Sequence, residues 1–181
     1  MQSPMPGKVN PSEDTRDHRH WSAVEEASEL LVERRFEDAL KELKQVIERD
    51  PNNPYAYHLL GTALWELAQL EPARDAFRAA TLVSPTFLGA RVGLAHALRK
   101  LGDLGGAERE AAEALRRFPD DGEAAHAMGL VLAARGKRRE ARYYLERFLA
   151  SKPEVEASME ARGVLEMLTT GEEDDPLDVD D

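Results

Sequence analysis

Pro51, Pro85, Pro119 and Pro153 stand 34 residues apart, and Ala39, Ala73, Ala107 and Ala141 keep the same interval. Two residue types sharing one period make the chain a tandem array of a single unit. A unit this short cannot bury its apolar face alone, so neighbouring copies must stack into a continuous core. Such a stack is quasi-one-dimensional, and it offers partners a long surface.

Counted from residue 20, the copies run 20–53, 54–87, 88–121 and 122–155. The second is the clearest: Tyr57-x-x-Leu60-Gly61-x-x-Leu64, then Ala73-x-x-x-Phe77, then Pro85. The fourth has Met128-Gly129-x-x-Leu132 followed by Ala141-x-x-x-Leu145. The third has Leu94-Ala95-x-x-Leu98 followed by Ala107-x-x-x-Ala111. The first opens weakly on Glu26-Ala27-x-x-Leu30 and then supplies Phe36, Ala39 and Leu43. With these residues at these offsets, residues 20–155 resemble four tandem tetratricopeptide repeats, each a helix–turn–helix. The resemblance implies an all-α fold, a right-handed superhelix (α-solenoid) of four hairpins.

The residue types suit that unit physically. Ala27, Gly61, Ala95 and Gly129 remove bulk from the first helix of each hairpin, and the periodic alanines remove it from the second. Close approach lets Leu30, Leu64, Leu98 and Leu132 interdigitate with Leu43, Phe77 and Leu145. Gly102 and Gly136 fall where the first helix must end, in a left-handed conformation that glycine adopts cheaply. In Asp50-Pro51-Asn52-Asn53-Pro54, Pro51 stops one helix, Asn53 caps the next and Pro54 takes its first turn. Residues 156–170 carry Ala157, Met159, Val164, Leu165, Met167 and Leu168, the spacing of one more helix that caps the last repeat.

Outside the repeats the chain is polar. Residues 1–19 are expected to be flexible. Residues 171–181 hold seven acids and no base, so they carry most of the net charge of −11 and are expected to form a disordered tail. There is no cysteine, which removes disulfides and thiolate chemistry. The start of the chain does not resemble a secretory signal, and no apolar run approaches the ~18 residues of a membrane span. A soluble cytoplasmic protein is the expectation, and frequent Ala, Arg and Leu point to a GC-rich bacterial genome. Arg135, Lys137, Arg138, Arg139 and Arg142 gather positive charge in the fourth repeat, either as a solvated surface or as a site for an anionic partner. Phosphate recognition needs a broader basic stripe, so no nucleic acid is expected as a partner.

The resemblance also implies which side chains meet a partner. In the family the first helices line a concave groove, mainly through repeat positions 2, 5, 9, 12 and 13. Here the first repeat places Trp21, Val24, Ser28, Leu31 and Val32 there, and the second Tyr55, His58, Thr62, Trp65 and Glu66. The third contributes Gly89, Val92, His96, Arg99 and Lys100, the fourth Glu123, His126, Leu130, Ala133 and Ala134. Trp21, Tyr55 and Trp65 offer the aromatic area that often dominates binding energy, although Trp65 also suits packing between repeats. Gly89 and Gly93 thin the third repeat's first helix beside Trp65, and Arg99 and Lys100 suit a partner's carboxylate.

One branch of the family grips a C-terminal carboxylate through Lys, Asn and Arg. The corresponding positions here are Val24, Ser28, Gly89 and Gly93, which lack that chemistry. His58 and His126 lie two repeats apart, and with helices packed at ~8–10 Å they and His96 cannot share a metal ion. No phosphate loop or catalytic constellation stands out, and no cofactor is expected. The expected function is a non-enzymatic module or scaffold that binds a protein or peptide in the groove. Two alternatives stand beside it: a small acidic chaperone of a secretion system that masks hydrophobic partner segments, and an assembly adaptor that self-associates as a homo-oligomer.

Overall fold

The computed structural model of this protein describes residues 11–170. The first ten residues of the N-terminal segment and the acidic tail 171–181 lie outside the described residues. Helices and turns make up the described residues, with no strand among them. α1 (Pro11–Ser22) precedes four hairpins: α2 (Glu25–Val32) with α3 (Phe36–Arg49), α4 (Pro54–Glu66) with α5 (Leu70–Val83), α6 (Leu88–Lys100) with α7 (Leu104–Arg117), and α8 (Gly122–Ala134) with α9 (Arg138–Ala150). α10 (Val155–Thr170) follows. Second helices begin at 36, 70, 104 and 138, and first helices at 54, 88 and 122, so the period of the sequence is the period of the backbone. Short links make neighbouring helices antiparallel, and the first helices of successive repeats therefore run the same way. They also touch across repeats, α4 on α6 and α6 on α8.

Glycine notches organise the core. A Cβ on Gly61 would lie 2.7 Å from the Phe77 ring and one on Gly93 2.6 Å from it. One ring from α5 thus fills a slot in its own hairpin and another in the next. Leu145 of α9 occupies the corresponding slot at Gly129. The series of small residues takes one further step to Gly163 of α10, and there the space is open. α10 is therefore placed like the first helix of a fifth unit.

Between first and second helices the chain turns through left-handed backbone in every repeat, at Arg34 (φ 60°), Ala68 (φ 57°), Gly102 (φ 86°) and Gly136 (φ 74°). Only the last two are glycine. A side chain in that region costs roughly 1–2 kcal/mol. Ala68→Gly is thus expected to stabilise the array by about 1 kcal/mol, read as a higher urea midpoint at unchanged slope. A lower midpoint would contradict it.

At the N-terminal end Asn53 is fully buried and makes three hydrogen bonds. Its Oδ1 accepts from the backbone N–H of Tyr55 at 3.0 Å and of Ala56 at 3.2 Å, which caps α4 as expected. Its Nδ2 donates to the carbonyl of His20 at 2.8 Å, one of the acceptors that α1 leaves unpaired at its last turn. One expectation differs: the segment 1–19, expected to be flexible, is helical from Pro11 onward. His20 is buried, with Nε2 3.1 Å from Asp50 Oδ2. At the other end, the second helix of the fourth repeat leaves differently from its predecessors. Asp50 and Ser84 leave α3 and α5 in extended backbone, whereas Lys152 is left-handed (φ 57°) before Pro153, and α10 packs against α8 and α9.

Candidate partner-binding groove

Because the first helices are parallel, their groove positions fall on one side of the solenoid. α4 supplies His58, Thr62 and Trp65 there, α6 supplies Val92, His96, Arg99 and Lys100, and α8 supplies Glu123 and His126. Ala157 and Glu160 of α10 close one end. Together these walls bound an open cavity of about 720 Å³. Gly89 and Gly93 also line it, Gly89 next to His58 and Gly93 next to Phe77.

Trp21, Tyr55, Leu130 and Val24, expected in the groove, do not line this cavity, each for a packing reason. The Tyr55 ring stands edge-on between Trp21 at 5.6 Å and Phe87 at 5.2 Å, so the aromatic pair of the first two repeats fixes α1 against α4 and the start of α6. Leu130 is only 2% exposed, because it lies in the core cluster that Leu168 of α10 joins and Val164 packs against. Val24, placed in the groove by the same register, is fully buried: the chain turns between α1 and α2 there and drives it into the first repeat's core. Val92 lines the cavity but is largely core, and so is His126, at 4% exposure.

The cavity wall is polar in an unusual way. His58 Nδ1, Arg99 Nε and His126 Nε2 are buried and have no hydrogen-bond partner. Burial pushes the His58 imidazole down to about 4. Burial, then His126, Arg99 and Lys100, push His96 down to about 3. His126 is also lowered, by burial first, against the pull of Glu160. At neutral pH the wall therefore presents uncharged rings, each with one N–H and one acceptor nitrogen. His126 stacks on Phe148 at 4.1 Å and 13°, and His96 lies 5.5 Å from His126. No group of three or more His or acid residues among the described residues is placed to hold a metal ion.

Arg99 is not a free cation for a partner. Its Nη2 lies 3.4 Å from Glu160 Oε1, and the other oxygen of Glu160 lies 3.8 Å from His126 Nε2. The four-repeat register missed Glu160, and with it Glu154 and Ala157, which also line the cavity. The signal was available: one more step of 34 starts a unit at residue 156, and its positions 2 and 5 are Ala157 and Glu160. Positions 9, 12 and 13 of that unit are Val164, Met167 and Leu168, which line a second cavity together with Leu130.

The basic cluster of the fourth repeat is also engaged within the chain. Arg135 and Lys137 both bond Glu108 of α7, Lys137 at 3.0 Å. The hydrogen bond from Lys137 holds the Glu108 carboxyl below its usual range. These two residues tie the fourth hairpin to the third. Arg138 lines a small cavity beneath the end of α10, Arg139 is exposed, and Arg142 is half-buried on α9.

Residues 30–85 and 88–130, together more than half of the chain, match family models described as tetratricopeptide repeat. No curated protein matches the chain in sequence. Among solved structures, a thermophilic TPR protein of Thermus thermophilus is similar at a TM-score of 0.68 and 23% identity, over 84% of this chain and 82% of that one. YrrB, described as a TPR protein with an unusual peptide-binding site, is similar at 0.64 and 20%, over 76% of this chain and 71% of its own. The first TPR of Spaghetti (RPAP3), bound to the HSP90 peptide SRMEEVD, is similar at 0.62 and 17%, over 66% and 95%. At such identities the likeness is one of fold. The 34-residue step, the hairpins that carry it and the two family matches lead to one conclusion: the chain belongs to the tetratricopeptide repeat family.

Proposed function

We propose that this chain is a protein–protein interaction module that holds a peptide or helix of a partner in the cavity walled by α4, α6, α8 and α10. One observation carries the reading. The three buried polar atoms without partners, on His58, Arg99 and His126, belong to residues that line this single cavity. An unmade hydrogen bond at a buried group costs about 1–3 kcal/mol. A bound segment that offers backbone N–H and C=O groups recovers part of that cost, and neutral imidazoles can meet either group. Trp65 supplies the apolar anchor, since it packs on the second repeat's core and also faces the cavity. The peptide sites of YrrB and of the RPAP3 domain lend support by likeness of fold. Carboxylate gripping is not part of the proposal, because Val24 is buried and a side chain at Gly93 would strike Phe77.

Trp65→Ala is expected to lower partner capture from a lysate of the source cells about tenfold or more, with a native circular dichroism spectrum at the assay temperature. Tyr55→Ala, outside the cavity, is expected to lower the melting temperature and spare capture. Capture by Trp65→Ala equal to wild type rejects the groove.

A further inference from the structure

Charges around the cavity are not distributed evenly. Arg99 is matched by Glu160, and Glu66 lies 3.9 Å from Arg34. Glu123, in the first turn of α8, and Glu154, just before α10, also line the cavity, and neither has an ion-pair partner among the described residues. Lys100 cannot serve them. It occupies repeat position 13 and Glu123 position 2, so on parallel helices rising 1.5 Å per residue they sit about 16 Å apart along the axis. A carboxylate in a helix's first turn is ordinarily favoured by the macrodipole. Glu123 departs from that rule: burial first, then Asp121 and Glu154, hold its carboxyl above the usual range.

Acidic side chains alone would mark nothing, but the same wall carries a second signal. His126 is 4% exposed, and its Nε2 has no hydrogen-bond partner; Glu160 stands 3.8 Å from it, too far to bond. Arg99 Nε–H, also buried, needs an acceptor. The cavity therefore asks for a carbonyl near Arg99 and for positive charge at the α8–α10 end. An extended segment rising about 3.3 Å per residue offers both at once, a backbone carbonyl near Arg99 and, roughly four or five residues along, a cationic side chain at the α8–α10 end.

Building on the interaction reading above, we propose that the segment held in this groove carries a lysine or arginine, seated at the α8–α10 end against Glu123 and Glu154. The rim carboxylates are exposed, so each contributes modestly and in a salt-dependent way, giving register and selectivity more than affinity. Trp65 takes the apolar side chain further along the same segment.

The test uses the full chain and a phage-displayed random-peptide library as probe. Selected peptides are then titrated against Trp21→Phe protein, in which Trp65 alone reports by fluorescence. Peptides that need Trp65 are expected to carry Lys or Arg at a fixed distance from an apolar residue. Glu123→Gln with Glu154→Gln is expected to weaken them about fivefold and to abolish the preference, while Lys100→Gln leaves it intact. Peptides that need Trp65 but show no basic residue, or an acidic one, overturn this proposal and leave the interaction reading standing. Peptides that bind Trp65→Ala equally well, or a library that yields no binder, overturn both.

Discussion

Phe77→Ala is expected to cost about 3–5 kcal/mol, a large share of the roughly 5–15 kcal/mol that holds a typical domain together. The ring is 4% exposed and fits between Gly61 of α4 and Gly93 of α6. Glycines cannot move atoms into the space a ring vacates, so the cavity stays. The loss also falls at a junction, because the ring joins the second hairpin to the third. In a one-dimensional array, a weakened junction divides the stack into parts that unfold separately. Urea unfolding should therefore show a lower midpoint and a shallower slope, the mark of lost two-state behaviour. The glycines give an internal control. Gly61→Ala and Gly93→Ala each strain the wild-type core, since the added carbon meets the ring at 2.7 Å and 2.6 Å. With Phe77→Ala already present, that ring is gone, and both alanines should restore part of the loss through filled space and better helix propensity, about 1 kcal/mol each. A loss below about 1 kcal/mol for Phe77→Ala would rule out the wedge.

Helix boundaries, the Asn53 cap and the notch at Gly61 were legible because each is decided within one repeat or between neighbours at a fixed offset. The left-handed turns were half legible. Gly102 and Gly136 announce the conformation, whereas Arg34 and Ala68 adopt it only because the stacked repeats impose the same turn on them. α1 was not legible, since its last turn is fixed by Asn53, 33 residues from His20, through a bond that no local pattern encodes. In the groove, the repeat register put His58, Trp65, His96 and Arg99 on one face, and the four line one cavity. It did not say which of those positions a later element covers or neutralises. Leu130 lies in a core cluster that α10 joins, Arg99 is paired by α10, and the Arg99–Glu160 contact spans 61 residues. Periodicity fixes direction around a helix; burial and charge depend on what packs there next. That next element was itself periodic, and extending the step to residue 156 identifies the residues concerned.

Acid is expected to destabilise the array well before its carboxylates protonate. His58 titrates near 4 and His96 near 3 in the folded chain, with burial the main cause in both, against 6.5 as the ordinary value. A folded pKa held below the unfolded one means that the unfolded chain binds more protons below about pH 6.5. Stability is then full above that pH and falls as pH drops toward the folded values. Each ring contributes a slope of about 1.4 kcal/mol per pH unit in that window, so the two together cost about 4 kcal/mol between pH 7 and pH 5. His126 adds to this in the same direction, because burial lowers it as well. Glu123 works the other way, since its raised carboxyl gains stability as it protonates, but at lower pH. The charged neighbours of the rings cannot reverse the sign: Arg99 and Lys100 oppose protonation of His96, and only Glu160, 3.8 Å from His126, favours it there. Urea midpoints measured from pH 7.5 to 5 should fall steadily, and His58→Gln with His96→Gln should flatten the profile even if the variant starts less stable. A flat wild-type profile, or an equally steep one in the double variant, would show that these rings are not what acid acts on. All three rings come from α4, α6 and α8 and line the same cavity. Protonation therefore strains the groove wall first, and partner capture should decline over the same pH range that lowers stability.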